Sequence, residues 1–353
     1  VVNLPPQPMP QHGGPDALGP ARYDFSTNAN ACGPCPHALA AVQQADATRY
    51  PDPSYTALRQ QLAQLHGVAP WQVVLAASAS EFITRATAYA AQQGARSVWL
   101  PPEAYGDYAR AAAAWGLAVD TAPQTAASAR LGWACEPSSP LGQAHSPWPQ
   151  AFAPGAMWVL DAVYEPLRLS GQPSLPAVLR PHMWQLHSPN KALGLTGIRA
   201  AYAIAPATTP ATTPATTPVT AQHMAAALDA MAPSWVLGAH GVALLNAWAQ
   251  PAAHAWVRSS LPTLRVWKAA LVQALQAQGW VVLPSHTPFF CAQPPQGLDV
   301  PQLCQYLRQQ GVQLRNAASL GMPGWVRLGV LGLSAQAALL KALAAHAHFC
   351  HVM

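Results

Sequence analysis

Only three lysines occur in the 353 residues, and Lys191 lies in the string Ser188-Pro-Asn-Lys191-Ala-Leu-Gly-Leu-Thr-Gly-Ile-Arg199. A primary amine condenses with an aldehyde to an imine, which arginine does not do at neutral pH. The Ser188 hydroxyl and the Arg199 guanidinium add a hydrogen-bond donor and a fixed positive charge, the groups that hold a phosphate. The three groups stand at the spacing used to hold pyridoxal phosphate (PLP), which carries both an aldehyde and a phosphate. The string therefore predicts a PLP site with Lys191 as its Schiff-base residue.

Such a cofactor makes further demands. Its pyridine nitrogen needs an acid that keeps it protonated, because the cationic ring is the electron sink. Asp161, closing the apolar run Trp158-Val-Leu-Asp161, is the candidate acid, and Tyr164 is a candidate partner for the ring oxygen. Ala79 and Ser80 stand where a strand gives way to a helix, and helix N-termini offer backbone N–H groups to phosphate. Tyr105, in Pro101-Pro-Glu-Ala-Tyr105, is the candidate to stack on the ring. Singly, each residue has a plainer reading: Asp and Ser cap helices, Tyr packs beside proline, Lys is solvated. The order of strand and Asp161, strand and Ser188-x-x-Lys191, then Arg199 before another strand favours the joint reading.

These residues need a frame. Apolar runs at Val73–Ala77, Ser97–Leu100, Leu131–Cys135, Met157–Leu160, Met183–His187 and 200–204 alternate with helical stretches at 54–66, 81–93 and 105–115. That alternation predicts an α/β fold with a mostly parallel sheet flanked by helices, its ligands bound at the carboxyl ends of the strands. Helices at 224–231, 236–250, 256–278 and 335–348 with short strands at 280–283, 312–315 and 325–330 predict a smaller α+β domain. The expected domains are an N-terminal arm (1–45) contributing to the active site and small domain, a large PLP-binding domain (46–235), and a small C-terminal domain (236–353). Residues 207–218 repeat Ala-Thr-Thr-Pro and read as a solvated surface loop.

Composition removes several function classes. The net charge is +5, with arginines scattered singly and no aromatic stripe between them, which argues against nucleic acid as a partner. No apolar run reaches the length of a membrane span, and the start Val1-Val-Asn-Leu-Pro-Pro6 does not read as a signal peptide, so a cytoplasmic location is expected. The six cysteines are too widely spread for a disulfide framework. Cys32-Gly-Pro-Cys35 matches a thiol redox motif, but its flanks do not predict the βαβ domain such a motif needs. In His346-Ala-His348-Phe-Cys350-His351 the histidines two apart do not share a helix face and the segment is terminal, so no metal is expected.

The chain resembles the fold type I PLP-dependent aminotransferases of class I/II, and within them the histidinol-phosphate aminotransferase and threonine-phosphate decarboxylase branch. The resemblance rests on His12-Gly-Gly14, Asp24-Phe-Ser-Thr-Asn28-Ala-Asn30, Gly33-Pro34, Arg49-Tyr-Pro-Asp-Pro53, Tyr105, Asp161-Ala-Val-Tyr164, Ser188-x-x-Lys191 and Arg327. It implies a homodimer in which Tyr50 reaches the partner's PLP phosphate. It further implies that Arg327 clamps the substrate carboxylate and that Arg315, His12 and Asn30 contact substrate. The chain departs from the family pattern in places. Glu136-Pro-Ser-Ser139-Pro-Leu-Gly142 replaces Asn-Pro-x-Asn-Pro-Thr-Gly, leaving Ser139 as a shorter donor to the ring oxygen. The phosphate loop 76–81 has no glycine, and Asn190 precedes the lysine in place of serine.

The His12-Gly-Gly14 arm resembles the decarboxylase of cobalamin synthesis. The expected function is decarboxylation of threonine phosphate, the alternative transamination of an amino acid or histidinol phosphate. A non-catalytic PLP-binding protein and a thiol redox protein are the remaining classes.

Overall fold

A computed structural model describes residues 12–207 and 220–352, with the side chains of 347–352 outside the description. The chain divides into two compact units, one of residues 29–266 and 284–288, the other of the remaining described residues. The segment expected as an arm is thus divided after Asn28, and the larger unit runs on to Val266. Most of the Ala-Thr-Thr-Pro repeat lies outside the described residues.

The larger unit is built on a seven-stranded sheet. Its spatial order is Val73–Ala76, Ala201–Ile204, Trp184–His187, Met157–Asp161, Leu131–Cys135, Ser97–Trp99 and Ala118–Asp120. Ala201–Ile204 is antiparallel to both neighbours and the remaining pairs are parallel. Successive side chains on a strand point to opposite faces, and here both faces are buried. Trp133 and Val159 join a core with Phe82, Ile83 and Tyr89 of helix Ala79–Gln92 and Met224 and Leu228 of helix Ala221–Ala230. Their neighbours Ala134 and Trp158 join Phe152, Leu175 and Met183 in a second core. Two-sided burial explains why these strands read as continuous apolar runs. Ala118–Asp120 is an edge strand with two of three residues exposed, so no apolar run announced it.

The smaller unit holds an antiparallel sheet in the order Arg315–Asn316, Val326–Gly329, Phe289–Gln293, Val281–Val282. Tyr23–Asp24 pairs in parallel with Val312–Gln313. Phe25, Phe290, Leu303, Leu328 and Leu339 lie at its centre, with helices Val300–Gln309 and Leu333–Val352. Phe289–Gln293 and Val300–Gln309 were not expected, because prolines flank the strand and start the helix. Within the segment expected as an arm, where no helix was expected, lies helix Pro36–Gln43, with Pro36 at the first helical position where no N–H is needed. Among the described residues no helix is long and apolar enough to cross a membrane.

Candidate active site

In the larger unit the carboxyl ends of the parallel strands carry Asp161, Cys135 and His187, and the segments that follow carry Ser139, Tyr164, Ser188 and Lys191. Asp161 is 5% exposed. Its Oδ2 accepts the Tyr108 hydroxyl at 2.7 Å and its Oδ1 the Val163 N–H at 3.1 Å. Burial raises the carboxyl above its ordinary range, while the Tyr108 bond and the Lys191 charge pull it back. Tyr108 was not singled out from sequence. The spacing Tyr105-x-x-Tyr108 across the start of helix Gly106–Ala114 was the available signal, since residues three apart share a helix face. The Tyr108 ring stacks on Trp133 at 4.8 Å and 14°, and Tyr105 meets its edge at 5.8 Å.

Tyr105 also lies near the first turn of helix Ala79–Gln92, its hydroxyl 3.4 Å from Ser80 Oγ. The cap of that helix is Ser78, not Ser80: Ser78 Oγ accepts the Glu81 N–H at 3.0 Å. The Phe82 N–H bonds to the Ser78 carbonyl. Ala79 and Ser80 are thus the first two helical residues, whose N–H groups have no partner within a helix. This first turn, the candidate phosphate site, is built without any glycine.

The Lys191 loop is held from three sides. Ser188 Oγ lies 3.1 Å from both Asn190 Oδ1 and the Ala200 carbonyl. Asn190 thereby bonds the serine two residues before it, which gives the departure from the family pattern a structural reason. The Asn30 N–H donates to the Lys191 carbonyl at 2.9 Å and the Cys35 N–H to the Leu193 carbonyl at 2.8 Å. Asn30 Nδ2 binds the Ala192 carbonyl and Ser260 Oγ, and its Oδ1 accepts the Cys32 N–H. Gly194 has φ +66°, and a Cβ there would lie 2.6 Å from the Gly33 carbonyl oxygen, so this approach requires glycine. Lys191 Nζ sits 5.5 Å from the centre of the Tyr164 ring and makes no salt bridge among the described residues. Arg199 is exposed. Tyr50 is 77% exposed and stacks on Trp235 at 4.4 Å.

In the smaller unit Arg315 and Arg327 lie opposite each other on adjacent antiparallel strands. They are 5% and 7% exposed. Arg327 Nη2 donates to the Ser26 carbonyl at 2.9 Å, and its Nε is buried without a hydrogen-bond partner among the described residues. Burial, then repulsion from Arg327, lowers Arg315 to about 10. Gly14 N–H binds Ser26 Oγ at 2.8 Å, which ties the His12-Gly-Gly14 segment to the same Ser26, while the His12 side chain is exposed.

The redox reading is not supported by the thiols. Burial raises Cys32, whereas a redox-active thiol at a helix start is acidic. Cys35 is fully buried. The side chains of His348, Cys350 and His351 lie outside the described residues.

The residues present fit PLP. Ser139 is 3% exposed, yet its hydroxyl has no hydrogen-bond partner among the described residues, as a donor to a ring oxygen requires. A buried carboxylate, a lysine amine and an aromatic face complete the set. Residues 22–344 match the family model for aminotransferase class I and II, and the chain belongs to that family. It is a PLP-dependent enzyme of the aminotransferase family, with the type I fold.

A histidinol-phosphate aminotransferase of Burkholderia mallei is 27% identical over 319 residues, 83% of each chain. One from Xylella fastidiosa is 31% identical over 185 residues, 45% of this chain and 50% of that protein. Two solved structures share the fold. Histidinol-phosphate aminotransferase from Sinorhizobium meliloti, in complex with pyridoxal-5'-phosphate, has a TM-score of 0.72 and 21% identity, covering 92% of this chain and 90% of that one. L-threonine-O-3-phosphate decarboxylase from Porphyromonas gingivalis has a TM-score of 0.70 and 19% identity, covering 92% and 99%.

Proposed function

We propose that the enzyme acts on a phosphorylated amino acid, with decarboxylation of threonine phosphate as the first reading. The observation that carries it is Arg327, a buried guanidinium with an unpartnered Nε and another arginine directly across the sheet. A buried cation without a carboxylate partner is costly unless a ligand supplies the anion. Two adjacent arginines suit a substrate with two anionic groups, a carboxylate and a phosphate. Transamination of histidinol phosphate is the second reading, favoured by the names of the curated relatives.

When bound, PLP supplies the electron sink that lets a bond at the substrate α-carbon break. In this proposal Lys191 holds the cofactor and then moves the proton at that carbon. Asp161 keeps its negative charge against the pyridine nitrogen, and Tyr108 orients it. Tyr105 covers the ring, Ser139 and Tyr164 face the ring oxygen, and Ala79, Ser80, Ser188 and Arg199 hold the phosphate. Arg327 fixes the substrate carboxylate, assisted by Arg315 and His12, while Asn30 holds the Lys191 loop in place of the substrate contact expected of it. The orientation of that carboxylate decides whether the C–H or the C–CO2 bond lines up with the electron sink.

The test is to mix holoenzyme with threonine phosphate and, separately, with histidinol phosphate and a keto acid. Carbon dioxide from the first supports decarboxylation. A keto product from the second supports transamination, and neither product overturns both. Borohydride reduction and peptide mapping should label Lys191, and Lys191→Ala should fold yet take no label. A label on Lys268 or Lys341 would overturn the assignment. The homodimer belongs to the same proposal: the exposed Tyr50–Trp235 stack is a surface that a second copy would cover, and sedimentation of the holoenzyme checks it.

A further inference from the structure

The cofactor readings above leave unused a buried acid, Glu136, at the place where the family pattern has its first asparagine. It is 3% exposed and follows strand Leu131–Cys135 directly. Its N–H donates to the Asp161 carbonyl at 3.1 Å, so its main chain continues the strand pairing to the residue that carries the site acid. Its carboxylate points into protein. Oε1 accepts from Arg168 Nη2 at 3.1 Å and from the Ser174 N–H at 2.8 Å, and Oε2 accepts the Ser174 hydroxyl at 2.6 Å. The Ser174 hydroxyl also accepts the Trp148 indole N–H at 2.9 Å.

Arg168 has a second acid. Its Nε and Nη2 bind both carboxylate oxygens of Glu165 at 2.7 to 3.2 Å. Glu165 is the residue after Tyr164. One guanidinium therefore joins the start of the Ser139 loop to the end of the Asp161–Tyr164 segment. A planar guanidinium between two carboxylates has a narrow choice of geometries, which suits it to fixing two chain segments against each other.

The loop itself is closed by its own bonds. The Gly142 N–H reaches the Ser138 carbonyl at 2.7 Å, and the Ser138 N–H reaches the Gln143 carbonyl at 2.8 Å. The Gln143 N–H reaches Ser138 Oγ at 3.0 Å. Ser139 sits inside this loop with an orphan hydroxyl, so no side-chain bond of its own determines where that hydroxyl lies. Its position is inherited from the anchors of the loop, and Glu136 is the charged one.

We infer that Glu136, held by Arg168 and Ser174, is a positioning residue that places the Ser139 hydroxyl against the ring oxygen of the cofactor. The inference rests on the reading of Ser139 as the ring-oxygen donor. The carboxylate contacts neither cofactor nor substrate in this role. A short serine replaces the family's longer asparagine, and the buried clamp supplies the rigidity that lets the shorter donor serve.

The expected signature is spectroscopic. A donor on the ring oxygen draws off the negative charge that holds the proton on the Lys191 nitrogen. Losing that donor raises the pH at which the absorbance band of the lysine-bound cofactor titrates, by about one unit. Holoenzyme variants Ser139→Ala, Glu136→Ala, Glu136→Gln and the Ser139→Ala/Glu136→Ala pair are titrated by absorbance, with thermal melting in parallel.

Glu136→Ala should shift the midpoint in the same direction as Ser139→Ala. The pair should shift no further than Ser139→Ala alone, because the two changes remove one interaction. Glu136→Gln, which keeps the acceptor oxygen, should restore most of the wild-type midpoint. A purely structural role would lower the melting temperature of Glu136→Ala and leave its midpoint at the wild-type value, which overturns the inference. An unmoved midpoint in Ser139→Ala overturns the reading of Ser139 and the inference with it. A shifted Ser139→Ala beside an unshifted Glu136→Ala overturns the inference alone. Should Glu136→Ala fail to fold, Ser174→Ala deletes one bond to the carboxylate while keeping every charge. It should shift the midpoint in the same direction by a smaller amount, and an unmoved midpoint there overturns the inference.

Discussion

Asp161, the candidate acid of the site, loses its own solvation by burial. Its folded pKa is raised by burial. An acid raised in this way weakens the fold as pH climbs above its unfolded value near 4, and the penalty is complete above the folded value. Asp161→Asn keeps the shape without the charge. The cofactor-free variant should melt at or above the wild-type temperature at pH 7, gaining on the order of 1 kcal/mol per unit of raised pKa, while losing turnover. A lower melting temperature would contradict the sign. Tyr108→Phe removes the donor at 2.7 Å. A hydrogen bond to a charged group is worth about 1.5–3 kcal/mol, so PLP affinity should fall at least about tenfold, read by equilibrium dialysis. Lys191, Asp161 and Tyr164 stood out in the chain as candidates because acid, phenol and amine each lie at or just after the end of an apolar strand. Tyr108 did not, because its role depends on a partner 53 residues away. Glu136 was legible only as a departure, since its three bonds come from residues far along the chain.

Strands buried on both faces announced themselves as apolar runs, which is why six of the seven in the larger sheet were readable within a residue or two. Ala118–Asp120 was lost to exposure, and Phe289–Gln293 to the prolines at its ends. Helix boundaries turned on capping: Ser78 rather than Ser80 accepts the Glu81 N–H, so helix Ala79–Gln92 begins earlier than the apolar period suggests. The Lys191 loop depends on packing that no local pattern reveals. In Gly194→Ala the new Cβ meets the Gly33 carbonyl, and the backbone must also leave the left-handed region. A loss of about 1–3 kcal/mol in unfolding free energy is expected, with faster release of cofactor, measured by denaturant titration and dialysis.

On the scale of the whole molecule, acid is the condition to which the larger unit should be most sensitive. His66 is held at about 4 and His187 at about 3, both mainly by burial. His66 Nε2 bonds the Tyr202 hydroxyl at 2.9 Å, and the His187 ring stacks on Tyr202 at 5.1 Å. Histidines lowered in the fold leave stability intact above their unfolded value near 6.5 and drain it as pH falls toward 4, because the unfolded chain then binds more protons. Unfolding free energy measured from pH 7 to pH 4.5 should fall steeply, and His66→Gln should flatten that slope by up to one proton. An unchanged slope would show that other groups set the acid limit.

The reversed direction of Ala201–Ile204 has a consequence for how such an enzyme can change over time. A strand that enters the sheet from the rim where its predecessor left needs no crossing helix. The stretch between His187 and Ala201 therefore joins two strand ends at one rim, and Thr196 and Gly197 within it are exposed. New length added there would burden neither core, so the chemistry around the lysine can be rewritten while the scaffold beneath it is conserved.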